Sequence, residues 1–428
     1  MSLPAKKETH YKIKIINADQ ERNITMKAKK IFAVLTVMTM AIGMLTGCGQ
    51  TAMNEADTTV SEITEESQQQ TDFSGITLNV MTAGDTNMEE LQNNYVAPIV
   101  DETYPGMKLN VTGAGPGDDG SKKIYDKLKA QKDAGKENGD IDVAIVHQGI
   151  MAQMIEEGLL DQYVGLTNVG EYLTSDGAKN ALGTNVEGYV IPLFSSQTAI
   201  AYNSVEVQSV PASMEELKAW ISEHPDKFGY NGVTGGMAGV SFVAAYLCNE
   251  SGNAEQILNG PYDNSIETDW PAIMSDLKSL PCTITNGNQG TLDMLNRGEI
   301  SMGPVWVDMF YTMQAEGRMS PDVKLTIPAP GMPGQPMYIV VPANAANKEA
   351  AVKFAELLGS PSVQAKVVVD QFNWYPGIDA NAVFPLCSEE AKNSLFKDIT
   401  ADILSQYGTP LPLNEYKNDM MEAYENAR

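Results

Sequence analysis

The chain has 428 residues, enough for two domains or for one large two-lobed domain with a sizeable core. It carries 55 acidic against 29 basic residues, a formal net charge of −26, which argues against nucleic acid and anionic membrane surfaces as partners because their phosphates would be repelled. A cationic ligand is compatible with this charge but not required by it.

The first predicted element is a signal peptide. The uncharged residues 31–44 follow a lysine-rich start and end in Leu45-Thr46-Gly47-Cys48. A bilayer-spanning helix needs about 20 apolar residues, so this stretch suits a cleavable signal better than a permanent anchor. Its end resembles the lipobox of bacterial lipoproteins, which implies lipidation of Cys48 and a place on the extracellular face of the cell membrane, held by the lipid alone. The alternative is an ordinary signal peptide with an incidental cysteine.

The segments on either side of this signal differ from it in composition. Residues 1–25 contain a polar run of mixed charge that no signal peptide needs, so we expect Met26 to be the true start. Residues 48–71 are rich in Thr, Ser, Glu and Gln, which is typical of a disordered tether. Residues 1–47 are therefore an upstream segment plus signal peptide, and folded sequence begins at residue 72.

The folded part opens with the rhythm of a doubly wound α/β sheet. Alternation of apolar residues predicts strands, and longer mixed runs predict helices. In chain order we expect a strand at 76–81, a helical stretch to about 102, a strand at 108–111, a loop at 113–120, a helix at 122–134 and a buried strand at 141–146.

Ligands of such sheets bind beyond the carboxyl ends of the strands, and polar residues stand there. Asp85 and Thr86 follow the first strand, and His147 and Gln148 follow the third. Asp85 could equally be a helix cap. Polar groups at equivalent strand ends nevertheless make these four candidate ligand contacts.

The middle of the chain resembles the extracellular solute-binding proteins of bacterial ABC importers, family 1 type. The resemblance lies in the order of several segments. These are Tyr189-Val190-Ile191-Pro192, Ala199-Ile200-Ala201-Tyr202-Asn203, the helix start Pro211-Ala212-Ser213-Met214-Glu215-Glu216-Leu217, and the later segments 292–302, 328–331 and 347–364. Residues 223–243 are similar to a branch near the thiamine, polyamine and iron binders. Ser213 followed by Glu216 is also a capping box.

The resemblance implies a type II periplasmic-binding-protein-like α/β fold, with a ligand cleft between two lobes. We expect lobe 1 to comprise residues 72–194 with 322–378, and lobe 2 to comprise 195–321 with 379–428. It also implies a monomer that delivers a small solute to an ABC permease and its ATPase. The resemblance covers most of residues 76–376 and finds no counterpart for the last fifty or so.

Further candidate contacts follow from that cleft. Near the crossing between lobes stand Ser195, Ser196 and Gln197, and from the second lobe and hinge come Trp306, Asp308, Trp374 and Tyr375. An aromatic face suits a flat or cationic ligand, and a carboxylate supplies the counter-charge. Trp306 could instead be a core residue after a buried strand. The segment Asn373-Trp374-Tyr375 before Pro376-Gly377 predicts a turn with exposed aromatic residues.

The class of solute is less constrained. Iron-binding relatives use paired tyrosines, and Tyr375 has Trp374 as its neighbour; with only His147 and His224 after the signal peptide, we expect neither a metal site nor a cofactor. A small polar or cationic organic solute is our leading expectation. A sugar is the less favoured one, because aromatic residues make up only 7% of the chain. A surface sensor or adhesin with the same fold stays an alternative.

An enzyme is not expected. The chain has no nucleophile elbow and no phosphate-binding loop with its lysine. The pairs Asp118-Asp119 and Glu156-Glu157 are adjacent in sequence and fix no acid–base geometry, so we interpret both as solvated surface charge. A disulfide between Cys248 and Cys282 and a set of free thiols are equally compatible with the sequence.

Overall fold

The computed structural model describes residues 72–84, 86–115 and 117–428, without the side chain of Thr86. These residues belong to one compact unit, 70–428. The predicted signal peptide, Met26, Cys48, the tether 48–71 and Asp85 lie outside the described residues. Within the described ranges, no helix has the length and apolarity that crossing a membrane requires.

A nine-stranded mixed sheet forms the centre of the fold. Its main path runs β2-β1-β3-β11-β6-β10, with β9 and β12 also paired to β6 and β13 paired to β11. Two small sheets, β4-β5 and β7-β8, complete the set. The strands are β1 Thr77–Ala83, β2 Lys108–Gly115, β3 Val143–His147, β4 Asn180–Ala181, β5 Thr184–Asn185, β6 Ile191–Asn203, β7 Gly229–Tyr230, β8 Thr283–Ile284, β9 Met302–Trp306, β10 Val323–Thr326, β11 Met332–Val340, β12 Tyr375–Pro376 and β13 Gly408–Thr409.

The first three strands form as their patterns predict. β1 buries Leu78, Val80 and Thr82 in alternation, and it pairs in parallel with β2 on one side and β3 on the other. Every residue of β3 is buried, as expected for a central parallel strand. The predicted loop at 113–120 is wrong. β2 continues to Gly115 because it stays paired with β1, and the next helix begins at Gly117 with Asp118 and Asp119 in its first turn, where carboxylates favour a helix start.

β6 is the element that joins the two parts of the sheet. Its residues 191–197 pair with β11, whereas residues 198–203 pair with β9 and β10. We call β2, β1, β3, β11 and residues 191–197 the first half-sheet, and residues 198–203 with β9 and β10 the second half-sheet. The bridge between Phe228 and Met302 extends the second half-sheet toward β7 and β8.

The helices cover the faces of both half-sheets. Two π-helical stretches, Leu91–Val96 and Gln364–Val369, are continuous with α-helices. The α-helices are α1 Thr86–Glu90, α2 Ala97–Thr103, α3 Gly117–Asp133, α4 Met151–Glu156, α5 Met214–Glu223, α6 Met237–Ser251, α7 Ala254–Asn259, α8 Trp270–Ser279, α9 Gly287–Arg297, α10 Val307–Ala315, α11 Lys348–Leu358, α12 Pro361–Val363, α13 Asp370–Phe372, α14 Ala380–Val383, α15 Glu389–Leu395, α16 Ala401–Tyr407 and α17 Asn414–Asn426.

The predicted capping box forms, and the cysteines have a defined state. Ser213 caps α5 as predicted, accepting a hydrogen bond from the Glu216 backbone N–H, while the Glu216 carboxylate accepts from the N–H of Ala212. Cys248, Cys282 and Cys387 are free thiols, so of the two cysteine alternatives the structure has the second.

The lobe boundaries stay a prediction, which strand pairing refines at one point. β10 pairs with residues 200–203 of β6 and thus lies in the second half-sheet, which favours a start of the returning lobe 1 segment after residue 326 instead of at 322. The C-terminal helix α17 packs on α8 and α6.

Candidate functional site

The strand directions define one edge of the sheet as the candidate site. β3 and the first part of β6 both run antiparallel to β11, so they end at the same edge, where β1 and β2 also end. β9 runs antiparallel to β6 and ends at Trp306, opposite Thr198. β7 and β8 are parallel to β9. The carboxyl ends of both half-sheets therefore face the point where β6 crosses, the place where α/β sheets bind ligands.

Asp308 is the centre of a buried polar cluster at this crossing. It lies in the first turn of α10 and is 8% exposed. Its Oδ2 accepts a hydrogen bond of 2.8 Å from the indole Nε1 of Trp374, and its Oδ1 accepts one from the hydroxyl of Ser196. The predicted carboxylate is thus at the crossing of β6, but its oxygens are engaged in joining β6, α10 and the segment that carries Trp374.

The exposed aromatic turn predicted at Trp374 and Tyr375 is wrong. Their exposed fractions are 2% and 7%. The Trp374 ring is stacked between Phe194, at a centroid distance of 3.9 Å, and Phe372, at 4.7 Å. The pairing of Tyr375 with Ser195 holds this turn against β6, which buries the Trp374 ring. Trp374 is therefore placed to position Asp308, and its ring has no free face for a solute.

Three further residues predicted near the crossing, Gln197, Trp306 and Tyr375, are buried but differ in their polar contacts. Gln197 is buried, and its side-chain amide donates to the carbonyl oxygens of Met332 and Thr198, so it ties β6 to β11. Trp306 is 7% exposed at the end of β9, as the core alternative expected. The hydroxyl of Tyr375 is different, since it is buried and has no hydrogen-bond partner among the described residues.

His147 and Gln148 lie at the carboxyl end of β3, as predicted. The His147 ring Nδ1 is 3.2 Å from the hydroxyl of Ser121 in α3, and the same hydroxyl accepts from the His147 backbone N–H. Gln148 is 5% exposed, and its Nε2 has no partner in the described part of the chain. Because His147 and Phe194 are both register partners of Met337, their backbones lie two strand spacings apart, about 10 Å. Thr86 begins the helix after β1, and its side chain is not described.

Two residues that sequence reasoning missed complete this end of the site. Asp118, in the first turn of α3, is paired with Lys417 of α17, with Oδ2 and Nζ 2.9 Å apart. Lys417 is 5% exposed at its side chain and Asp118 is 44% exposed. A side chain added at Gly149 would place its Cβ 2.9 Å from the Lys417 Nζ, which locates the ammonium at the end of β3.

Burial and the neighbouring positive charges act in opposite directions on Asp118. Desolvation is the largest single influence and would raise the pKa of this carboxyl, but the charges of Lys417 and His147, with the hydrogen bond from Lys417, together lower it below 3.8. Asp118 is therefore ionised at neutral pH, and its interpretation as solvated surface charge is wrong, because the ion pair spans from the first half-sheet to the C-terminal helix.

A sequence signal for Lys417 did exist. The buried residues of α17 are Tyr416, Lys417, Met420 and Tyr424, a stripe with helical spacing. A lysine inside an apolar stripe is rarely fully buried unless it is paired, so its position indicates a partner outside its own helix. The partner itself, 299 positions away, could not be identified without the fold.

Comparison with solved structures shows the same fold. A GABA receptor matches with a TM-score of 0.59 and 19% identity, covering 81% of this chain and 95% of that one. The spermidine/putrescine substrate-binding protein PotD of Streptococcus pneumoniae matches with a TM-score of 0.59, 14% identity and coverages of 82% and 98%. A solute-binding protein from Thermotoga lettingae bound to α-D-tagatose matches with a TM-score of 0.63, 16% identity and coverages of 82% and 92%.

The sequence comparisons complete this assignment. No curated protein sequence matches the chain. The family model described as bacterial extracellular solute-binding protein matches residues 101–382, well over half of the chain. This confirms the predicted periplasmic-binding-protein-like α/β fold and the expectation of a binding protein instead of an enzyme. The chain belongs to the bacterial extracellular solute-binding protein family.

Proposed function

We propose that the protein captures a small polar or cationic organic solute between its two half-sheets and delivers it to the permease of an ABC importer. The observation that carries this proposal is the Asp118–Lys417 pair. Asp118 is an ionised, half-exposed carboxylate at the ligand edge of the sheet, and it already binds an ammonium group, that of Lys417, at 2.9 Å. A solute amine would find the same acceptor there.

The surroundings of Asp118 support this assignment. His147, Gln148 and Ser121 are buried polar residues at the same strand end, which is the usual composition of a solute site with a few convergent polar groups. The excess of acidic residues raises the local concentration of cationic solutes near the protein. Two of the structural neighbours, the GABA receptor and the spermidine/putrescine protein, are named for amine-bearing compounds, whereas the third binds a sugar.

The predicted lipid anchor and a membrane permease belong to the same function. A lipid on Cys48 would hold the protein at the extracellular face of the membrane, and the tether 48–71 would let the folded part reach a permease with its ATPase. We propose that it acts there as a monomer, without nucleic acid. The residues on which we would expect solute contacts are Asp118, His147, Gln148, Ser195 and Tyr375, together with Asp85 and Thr86, which follow β1 in the chain.

A thermal-shift screen of the purified protein tests this function. Thiamine and its phosphates, polyamines, amino acids, sugars and ferric ion cover the solute classes, and a ligand at about 100 times its Kd stabilises the native state by about 2.7 kcal/mol. We expect a shift of several degrees with an amine-bearing class. Asp118→Asn should reduce that shift, whereas Asp119→Asn, the exposed neighbour in the same helix turn, should not. A shift with sugars alone, unaffected by Asp118→Asn, would contradict the proposed solute class.

A further inference from the structure

Lys417 belongs to the C-terminal helix, but its buried positive charge lies at the carboxyl-end edge of the first half-sheet, beside Asp118 and Gly149. The other members of its stripe, Tyr416, Met420 and Tyr424, pack with the second half of the molecule, where Tyr424 contacts Tyr230 and Tyr416 contacts Trp270. The Lys417 side chain instead extends to Asp118. α17 lies beyond residues 101–382, so this lysine is outside the region that matches the family model.

Two buried side chains near the end of β3, those of Lys417 and Gln148, have N–H donors without acceptors in the described part of the chain. A lysine ammonium has three N–H donors, and among the described residues Asp118 is the acceptor that Lys417 has. Gln148, next to Gly149 in the chain, has a buried Nε2 with two further N–H groups and no partner. The start of α3 adds a helix N-terminus, where backbone N–H groups lack helical partners. Buried donors without acceptors are costly, so this arrangement is complete only when another acceptor binds.

We propose that the solute carries a carboxylate group that binds Lys417 and the Gln148 amide, and that Lys417 is a specificity-determining residue of the cleft. This inference rests on the proposed function and narrows its solute class. A carboxylate offers two oxygens with about four lone-pair positions, which matches the donors that Lys417 and Gln148 present. The half-exposed Asp118 carboxylate stays available for an amine, so the solute is an amino acid or a similar zwitterion.

The ion pair explains why both charges are needed on the solute. Inserting a zwitterion between Asp118 and Lys417 gives each of them a new partner of opposite charge, so neither is left as an isolated buried ion. A diamine would satisfy Asp118 but would place a like charge beside Lys417. A simple carboxylate would satisfy Lys417 but would compete with Asp118 for it. The pair thus selects against solutes that bear one kind of charge.

The test compares matched compounds on the purified full-length protein by isothermal titration and thermal shift. The probes are glycine, β-alanine, 4-aminobutyrate, 5-aminovalerate and L-α-amino acids, set against butylamine, putrescine and butyrate. We expect a zwitterion to bind most tightly. Lys417→Met should weaken its binding at least tenfold, whereas Lys348→Met should change it less than twofold, because the Lys348–Asp161 pair lies near the opposite edge of the sheet.

Gln148→Leu provides a second variant that does not depend on the stability of the Lys417 variant. It removes donors that have no partner, so the ligand-free protein should be as stable as the wild type or more stable, while zwitterion binding falls about five- to tenfold. The inference is overturned if the tightest probe lacks a carboxylate, if Lys417→Met and Gln148→Leu both leave the Kd within twofold, or if no carboxylate-bearing probe binds. Tight binding of a polyamine would overturn it and leave the proposed function standing, whereas failure of every solute class would count against both.

Discussion

The indole Nε1 of Trp374 donates a hydrogen bond of 2.8 Å to Oδ2 of Asp308, although the two residues are 66 positions apart. This bond joins the start of α10, which follows the second half-sheet, to the β12 segment that pairs with the first part of β6. The site at the crossing is therefore organised by a buried polar contact between distant segments, with Ser196 of β6 as its third member.

Truncation of Trp374 tests how much this contact and its stacked rings stabilise the fold. Trp374→Ala should lower the free energy of unfolding by about 3–5 kcal/mol, since a buried aromatic ring between Phe194 and Phe372 is lost. Trp374→Phe keeps a stacked ring and loses the hydrogen bond to Asp308, at a cost of about 1.5–3 kcal/mol. Urea denaturation measures both. Equal and small losses would mean that neither the stacking nor the bond matters.

Gly377 provides a second test, of the close backbone packing at the crossing of β6. A Cβ at this position would lie 2.2 Å from the carbonyl oxygen of Pro192, so the backbone would have to move. Gly377→Ala should therefore cost about 1–3 kcal/mol of stability. Gly170→Ala, at an exposed position with nothing within 4 Å, is the control and should be neutral or nearly so in the same denaturation experiment.

Glu267 should make the stability of the protein depend on pH near neutrality. Burial, and then the negative charge of Asp419, raise the pKa of Glu267 to about 7 from its ordinary 4.5. Because the folded-state pKa is raised, the stability it contributes is present below pH 4.5 and is lost as the pH rises through about 7. The melting temperature should fall between pH 5 and 8. Glu267→Gln should flatten that profile, whereas Glu255→Gln, at an exposed position in α7, should leave it unchanged.

Cys48 tests the predicted anchor. Cys48→Ala should abolish incorporation of labelled fatty acid and leave the precursor unprocessed, because the lipidated residue would be missing. Metabolic labelling in a bacterial host, with Cys387→Ala as the control, measures this. Lipid incorporation into the Cys48 variant would rule out the lipobox.

The sequence predicted those parts of the fold that depend on local pattern. The alternation in β1, the buried strand β3 and the capping box at Ser213 each depend on residues close in sequence, and each was found. The exposure of Trp374 and the role of Asp118 were predicted wrongly, because both are decided by partners from distant segments. Periodicity identifies which face of an element is buried, but it does not identify what that face meets.

The position of β11 has a consequence for how the protein reaches its folded state after export. β11 lies in the sheet between β3 and β6, yet it is made after both of them and after the whole second half-sheet. A chain that crosses the membrane from its N-terminus would present β1, β2 and β3 long before the strand that links them to β6. The first half-sheet must then wait with an open edge at β3, so we expect its assembly to be late and cooperative, governed by contacts between residues far apart in the chain.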